Sequence, residues 1–324
     1  MTAQMPETTQ QIDEIKNIVD DLLREARRQG ADSAEAAVSM QTGLSVTVRL
    51  GETETIEHNS DSGLGVTVYF GHHKGSANTT DLRPDAIRES VAAACRIARY
   101  TSEDPAAGLA DADRMADDVP DLDLHHPWGI SADEAAEIAR TCEDAARHLD
   151  ARITNSEGAT LYTQQSGFVY GNTHGFVGGY PTTRHSLSCA VIAQQDDEMQ
   201  RDYWYDSSRL AEQIASPEDI GRRAAERALA RLNGRKLGTR ECPVLFSAEI
   251  ATSLMRSLFS AIRGHAVYRK STFLLDQVGQ PLFPDWVTIT EDPLRPRGQA
   301  SAPFDNEGVA TAHRELVSDG VLQG

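Results

Sequence analysis

The chain has 324 residues, 31 Lys and Arg against 49 Asp and Glu, and a formal net charge of −18 at pH 7. A duplex-binding surface needs clustered Lys and Arg. Here the basic residues are dispersed and the densest run, Arg263 to Lys270, is short, so nucleic acid is not an expected partner. No stretch approaches about 18 consecutive apolar residues, so no membrane span is expected. Met1–Gln10 is polar and carries no secretory pattern, which leaves the cytoplasm as the expected location. Cys95, Cys142, Cys189 and Cys242 are far apart and form no CxxC pair, which reads as buried thiols, not a disulfide frame or zinc knuckle.

In chain order, Ile12, Ile15, Ile18, Val19, Leu22, Leu23 and Ala26 recur at helical spacing, and Gly30 stops the helix. Short strands are expected at Ala34–Gln41, Leu44–Leu50, Glu54–Glu57 and Leu64–Phe70, with Gly43, Gly51, Gly63 and Gly71 as punctuation. A second helix begins at Pro84 and places Ile87, Val91, Ala94, Cys95 and Ala98 on one face. Ser102–Gly129 is rich in Asp, Ala and Pro without periodicity, as in a surface linker. The α–β–α order then repeats. Ser131 opens a helix with a capping box to Glu134, strands fill Ile153–Ile192, and Ser216–Pro217–Glu218–Asp219 starts a helix ending at Asn233–Gly234. Pro243–Ser247 reads as a short strand, and Ala248–Arg263 as a helix burying Ile250, Leu254, Leu258, Phe259 and Ile262. The last ten residues pattern as strand–turn–strand with no closing element, which suggests a truncated chain. The expected fold class is α+β: two α–β–α layers followed by the start of a β-rich C-terminal domain. The division is 1–105, a linker at 106–130, a central domain at 131–240 and an incomplete C-terminal domain at 241–324.

The residues alone show no catalytic constellation. No His is followed by Glu, and neither a G-x-S-x-G elbow nor a Walker A loop occurs. Gly63-Leu64-Gly65 begins a dinucleotide-like pattern that Val68 breaks. His72–His73 and His125–His126 read as solvated surface, because strand neighbours point to opposite faces and an ion needs three or four convergent ligands. Asp196–Asp197–Glu198 reads as an acidic turn. Tyr203–Trp204–Tyr205 reads as core or interface filling, since no basic residues interleave with it in sequence.

Three separated segments carry a resemblance. Tyr268–Gly279 is similar to the segment after the first C-terminal-domain helix of PmbA proteins. Phe304-Asp305-Asn306-Glu307-Gly308-Val309-Ala310-Thr311, with Asp319-Gly320-Val321-Leu322, resembles the DxEG…T…DG-[VI]-L signature of the TldD/PmbA peptidase family, and Asn155–Gly158 fits its middle domain. The resemblance covers roughly residues 12–324 and points to the PmbA/TldE branch. In the TldD branch, the helix matching Ala248–Arg263 carries a His-Glu-x-x-x-His motif that binds a catalytic metal. Here Met255, Arg256 and Ser260 occupy those positions. The resemblance therefore implies a subunit without a catalytic or metal residue of its own. It further implies a TldD-like partner bearing a zinc-type metal, and peptides or unfolded proteins as substrates. Tyr268, Arg269, Lys270 and Ser271 form either a plain helix-to-strand turn or a loop facing partner or substrate. Two other readings stay open: a metallopeptidase in its own right, and a protein-binding regulator of the DNA-gyrase-modulator type.

Overall fold

The computed structural model describes residues 8–323; the expectation of no secretory leader rests partly on residues 1–7, outside those described. The chain forms two compact units. One runs to Asn233 and takes back Pro293–Thr311, and the other comprises Gly234–Asp292 and the chain from Ala312.

The first unit is built on one antiparallel sheet with four helices. Helix α1 (Thr8–Arg28) is followed by β1 (Ser33–Arg49), β2 (Glu52–Phe70), β3 (His73–Thr79) and α2 (Pro84–Ala98). Then come α3 (Ala132–Arg147), β4 (Ile153–Asn172), β5 (Val177–Gln195), β6 (Glu198–Ser208) and α4 (Pro217–Ala230). The strand order is β3-β2-β1-β4-β5-β6. The class is α+β, and the two expected α–β–α layers are halves of this one sheet, joined where β1 pairs with β4 from Glu35↔Asn172 to Val48↔Ala159.

The strands are longer than the glycine punctuation implied. Gly51 and Gly71 do lie in turns, with φ of 84° and 56°, but Gly43 and Gly63 lie inside β1 and β2. The reason is phase. Ala34, Ala36 and Val38 before Gly43, and Leu44, Val46 and Val48 after it, all have even numbers, so one face stays buried throughout. A Cβ on Gly43 would stand 2.9 Å from the Thr163 carbonyl oxygen, so the glycine lets β4 approach closely.

Both helix pairs cover the same face of the sheet. One core joins α1 and α2 to Ala36, Val38, Val66 and Val68, and a second joins α3 and α4 to Val46, Val48, Leu161 and Val191. The local helix signals are realised. Ser131 and Glu134 form a reciprocal capping box, and the Ser216 hydroxyl accepts from the Asp219 N–H. Residues 106–130 contain little regular structure but are tied down: Leu122 and Leu124 are buried, and the Leu124 carbonyl accepts from the Thr183 N–H at 2.9 Å. Pro293–Thr311, assigned from sequence to the C-terminal segment, packs in the first unit. Phe304, 1% exposed, inserts among Phe168, Phe176 and Tyr180 on the sheet face opposite the helices. Burying a phenylalanine in this way is worth about 2–3 kcal/mol.

The second unit contains α5 (Ala248–Ile262), α6 (Gly264–Tyr268) and three short strands, β7 (Ile289–Glu291), β8 (Arg314–Ser318) and β9 (Val321–Leu322), in the order β7-β8-β9. Two expectations fail here. Pro243–Ser247 is not a strand, and Leu245 is 97% exposed. A strand needs a ladder partner, and the apolar pattern of these residues does not supply one. On α5, Leu258 and Ala261 are buried, whereas Ile250, at 57%, Leu254 and Phe259 are exposed. An amphipathic stripe announces that a helix can be covered, not that it is.

The β1–β2 turn shows how the sheet halves are locked. Leu50 and Gly51 both have positive φ, as in a type I′ hairpin. Their N–H groups donate to Oε1 and Oε2 of Glu143, a fully buried carboxylate on α3, at 2.8 Å each. Arg140 Nε donates to the Gly51 carbonyl at 2.9 Å. Glu143→Gln turns an amide NH2 toward one of these donors, and the expected cost is about 1–3 kcal/mol. Urea denaturation that shows an unchanged midpoint and slope would contradict this role.

Candidate functional site

The sheet face opposite the helices is half-buried to exposed along β1, and a cavity of about 420 Å³ lies on it. Glu35 of β1, Thr67 of β2, Asn78 of β3 and Tyr170 of β4 line it, with Asn306 and Glu307 from the returning segment. Antiparallel register explains the central cluster. Ser33 faces Tyr69 and Ala37 faces Tyr170, which puts each tyrosine diagonally across from Glu35. Both phenols donate to the carboxylate, Tyr69 to Oε1 and Tyr170 to Oε2, at 2.9 Å each. Burial, and then the charge of Glu35, hold both hydroxyls well above the ordinary tyrosine pKa, so they remain donors.

The Asp305–Gly308 loop forms the opposite wall. Asp305 Oδ1 accepts from the N–H groups of Glu307 at 2.8 Å and Val309 at 3.0 Å, and the Gly308 carbonyl accepts from the Ala116 N–H at 3.0 Å. Gly308 has φ of 78°, and a Cβ there would stand 2.8 Å from the Phe176 ring and 2.9 Å from the Tyr170 ring. Only glycine meets both conditions. The Glu307 carboxyl is pushed above its usual value by burial, then by the charges of Asp305 and Glu35, with Lys74 opposing. The residue as a whole is exposed, so the two neighbouring carboxylates are the firmer cause. The cavity thus sets two carboxylates, Glu35 and Glu307, among the hydroxyl of Thr67 and the amides of Asn78 and Asn306, an arrangement suited to holding a cationic group.

The residues singled out on α5 are not part of this cavity. Met255 is half-buried, Arg256 and Ser260 are exposed, and the Ser260 hydroxyl donates to the Arg256 carbonyl at 2.8 Å. Among the described residues, no group of three or more His, Cys, Asp or Glu side chains could hold a metal ion. A thioether, a guanidinium and a hydroxyl do not fit a hydrolytic metal. Tyr268 to Ser271 close α6 and do not lead into a strand. Lys270 adopts φ of 53°, its N–H donates to the Val267 carbonyl at 3.0 Å, and the Ser271 N–H donates to the Ala266 carbonyl at 2.9 Å. This is a Schellman ending with lysine where glycine is usual, and Tyr268, Arg269, Lys270 and Ser271 are all exposed.

The histidine pairs are better anchored than expected. His72 is exposed, but its Nδ1 lies 3.1 Å from the Ala107 carbonyl, and His73 Nδ1 lies 2.8 Å from that of Thr101. His126 Nε2 is 3.0 Å from Asp123 Oδ1. The His126 carbonyl accepts from His185, a buried residue whose Nδ1 then accepts from the Thr163 hydroxyl at 2.7 Å. The sequence offered no sign of that network, because its members come from three segments. The acidic run Asp196–Glu198 is the expected turn between β5 and β6. In the aromatic run, Trp204 packs under Arg223, 3.6 Å from the ring centroid, while Tyr203 and Tyr205 stack on the exposed side. Basic residues thus meet these rings, Arg223 from α4 and Arg201 from two positions before Tyr203.

Family models for the PmbA/TldA metallopeptidase match in three parts: domain 1 over 34–98, the central domain over 125–232 and the C-terminal domain over 239–324. The chain belongs to the PmbA/TldD family. Metalloprotease PmbA of Escherichia coli O157:H7 is 51% identical over 292 residues, 90% of this chain and 65% of that protein. The Haemophilus influenzae homolog is 46% identical over 310 residues, 96% of this chain and 68% of that protein. The chain therefore spans about two thirds of the length of these relatives. A solved structure from Bacteroides thetaiotaomicron, whose name ties it to DNA gyrase modulation, superposes with a TM-score of 0.89 at 25% identity over 96% of this chain and 71% of that one. TldE from Thermococcus kodakarensis shares the fold, with a TM-score of 0.77 at 19% identity over 95% of this chain and 69% of that one.

Within this PmbA/TldD chain, the DxEG signature is thus the wall of a cavity, and Gly308 is its steric requirement. Glu35, Tyr69, Lys74 and Tyr170 were not legible as a site, since each sits in a different strand with no local motif. Glu35→Gln should lower the pKa of Glu307 by removing a neighbouring negative charge, as read by carboxyl-carbon NMR titration. An unchanged Glu307 midpoint would show that the two carboxylates do not share the cavity.

Proposed function

We propose that this chain is the non-catalytic, TldE-type half of a cytoplasmic metallopeptidase. In this reading a TldD-type partner supplies the zinc-type metal, and the assembly acts on peptides and unfolded proteins. The observation that carries the proposal is the α5 triplet. Where the catalytic branch is expected to place two imidazoles and a carboxylate, this chain has Met255, Arg256 and Ser260. All three metal-site functions are replaced together, and the guanidinium would repel a divalent cation. The role left to this subunit is to wall off and line a chamber, for which an open sheet face with formed cavities is suited. Among the described residues no helix is long and apolar enough to cross a membrane.

The gyrase-related name of the Bacteroides relative favours a second reading, a protein-binding regulator. Co-purification separates the two: a TldD-type subunit retained by this chain supports the first, and gyrase retained in its absence supports the second.

Purified from a strain lacking any TldD-type protein, this chain should hold no stoichiometric zinc and show no peptide hydrolysis. Adding the partner should restore activity, and Arg256→Ala should leave it within a few-fold, whereas loss of a true general base costs on the order of a hundred-fold or more. One equivalent of metal on the isolated chain, with chelator-sensitive hydrolysis, would end this reading.

A further inference from the structure

A second cavity on the open sheet face, of about 210 Å³, has the opposite electrostatic character. Gln164 and Ser166 of β4, Thr182 and Arg184 of β5, Arg209 and Gln299 line it, and none of them is acidic. Arg209, just past β6, is 9% exposed. Its Nε donates to the Gly298 carbonyl at 2.9 Å, Nη1 to that of Thr183 at 3.1 Å and Nη2 to that of Gln299 at 3.0 Å. Arg184 donates from Nη2 to Gln299 Oε1 at 2.7 Å and from Nε to the Ser207 hydroxyl at 3.2 Å. The partners of both guanidiniums are carbonyls, an amide and a hydroxyl. Several other arginines of this acidic chain meet carboxylates, as in Arg152–Asp150, Arg201–Glu157 and Arg222–Asp219.

A buried guanidinium without a counter-charge is costly, because carbonyl dipoles replace only part of its hydration. The second arginine adds to the cost, and burial together with Arg184 depresses the Arg209 pKa, with only Tyr180 opposing. Three carbonyl contacts account for Arg209 as a clamp between the end of β6 and the returning segment. They do not account for placing Arg184 beside it in a cavity that a protein of net charge −18 has left free of carboxylates. Each Nη atom of Arg209 carries a further N–H beyond the one used on a carbonyl, and Nη1 of Arg184 takes no part in the hydrogen bonds that hold its Nε and Nη2.

We infer that this cavity binds a carboxylate of a peptide ligand, held between Arg184 and Arg209 with Ser166, Thr182 and Gln164 as supporting polar groups. Planar guanidinium forks match a carboxylate in shape and charge. The cavity lies on the outward side of paired strands, where an extended chain can lie along exposed side chains. The carboxylate comes either from a peptide C-terminus or from an Asp or Glu side chain. The inference rests on the peptide-handling reading proposed above and adds a preference to it.

The test is direct binding to the isolated chain by calorimetry. The probes are N-acetyl-tetraalanine, its C-terminal amide, and the same amide with one internal Glu. Either acidic peptide should bind about tenfold or more tightly than the neutral amide, the worth of one or two charge-assisted hydrogen bonds. The free acid alone showing the gain identifies the chain end, and the Glu peptide alone identifies the side chain. Arg184→Gln should abolish the discrimination between acid and amide, and Arg184→Lys should keep part of it. Arg184 is exposed, so these variants should fold even if Arg209 replacements do not. Equal binding of acid and amide, an undiminished preference in Arg184→Gln, or no binding of either acidic peptide at about millimolar concentration overturns the inference. If discrimination fails while a partner still restores hydrolysis, the carboxylate site alone is wrong. If discrimination holds and no partner restores hydrolysis, the error lies in the proposed function.

Discussion

Strand β1 is hydrogen-bonded on both sides for nearly all of its length, to β2 from Ser33↔Tyr69 to Arg49↔Glu52 and to β4 from Glu35↔Asn172 to Val48↔Ala159. Two helix-flanked segments that look separable in sequence thereby become one sheet. Because β1 keeps its period of two through Gly43, its buried residues stay on one side, and both helix pairs are confined to that side. The other side is left for side chains that need not be apolar. At the far end of β1, Glu143 and Arg140 grip the turn into β2, so a helix of the second half fixes a hairpin of the first. Two charge-assisted bonds to a buried carboxylate are geometrically stricter than apolar packing, which fixes the register of that hairpin against α3 as well as its presence.

The open face is organised by one returning segment. Phe304 anchors Pro293–Thr311 in a socket of Phe168, Phe176 and Tyr180, and the residues on either side of that anchor reach different cavities. Glu307 lines the acidic cavity with Glu35, and Gln299 lines the basic one with Arg184 and Arg209. Closing so long a loop costs chain entropy that grows only slowly with length, so a few kilocalories from one aromatic anchor matter here. The two cavities differ in sign while sharing a surface and an anchor. If the peptide-handling function proposed above holds, such a face would orient an extended ligand that is positive at one place and negative at another.

Helix starts were readable because their causes are local. Ser131 with Glu134, and Ser216 with Pro217, each act within one turn, and the structure contains both caps. The strands were readable in kind but not in extent, because a glycine inside a strand and a glycine in a turn look alike until the partner strand is known. Gly43 is explained by the Thr163 carbonyl, more than a hundred residues away. The cavities were unreadable for the same reason. Glu35 and Tyr170 are separated by 135 positions, and Arg184 and Gln299 by 115. The signature loop Asp305–Gly308 could be recognised as a motif, but its role as a wall follows from where Gly308 meets Tyr170 and Phe176. On α5 the apolar stripe was legible, and its exposure was not, since amphipathicity does not specify a covering element.

The α5 triplet and the open face bear on the same question from different sides. A metal site that had merely weakened would retain some donors, since one lost ligand in four still leaves affinity to be tuned by its neighbours. Here the three aligned positions hold a thioether, a full positive charge and a hydroxyl that bonds back to its own helix. In the function proposed above Arg256 is the decisive member, because a cation at the position of a general base would oppose both metal binding and proton removal. Restoring such a site would take three coordinated changes. The Asp305–Gly308 wall, by contrast, keeps a backbone conformation and a side-chain absence that only glycine satisfies. In this chain, then, the stricter geometry lies on the open sheet face, while α5 presents a thioether, a guanidinium and a hydroxyl at Met255, Arg256 and Ser260.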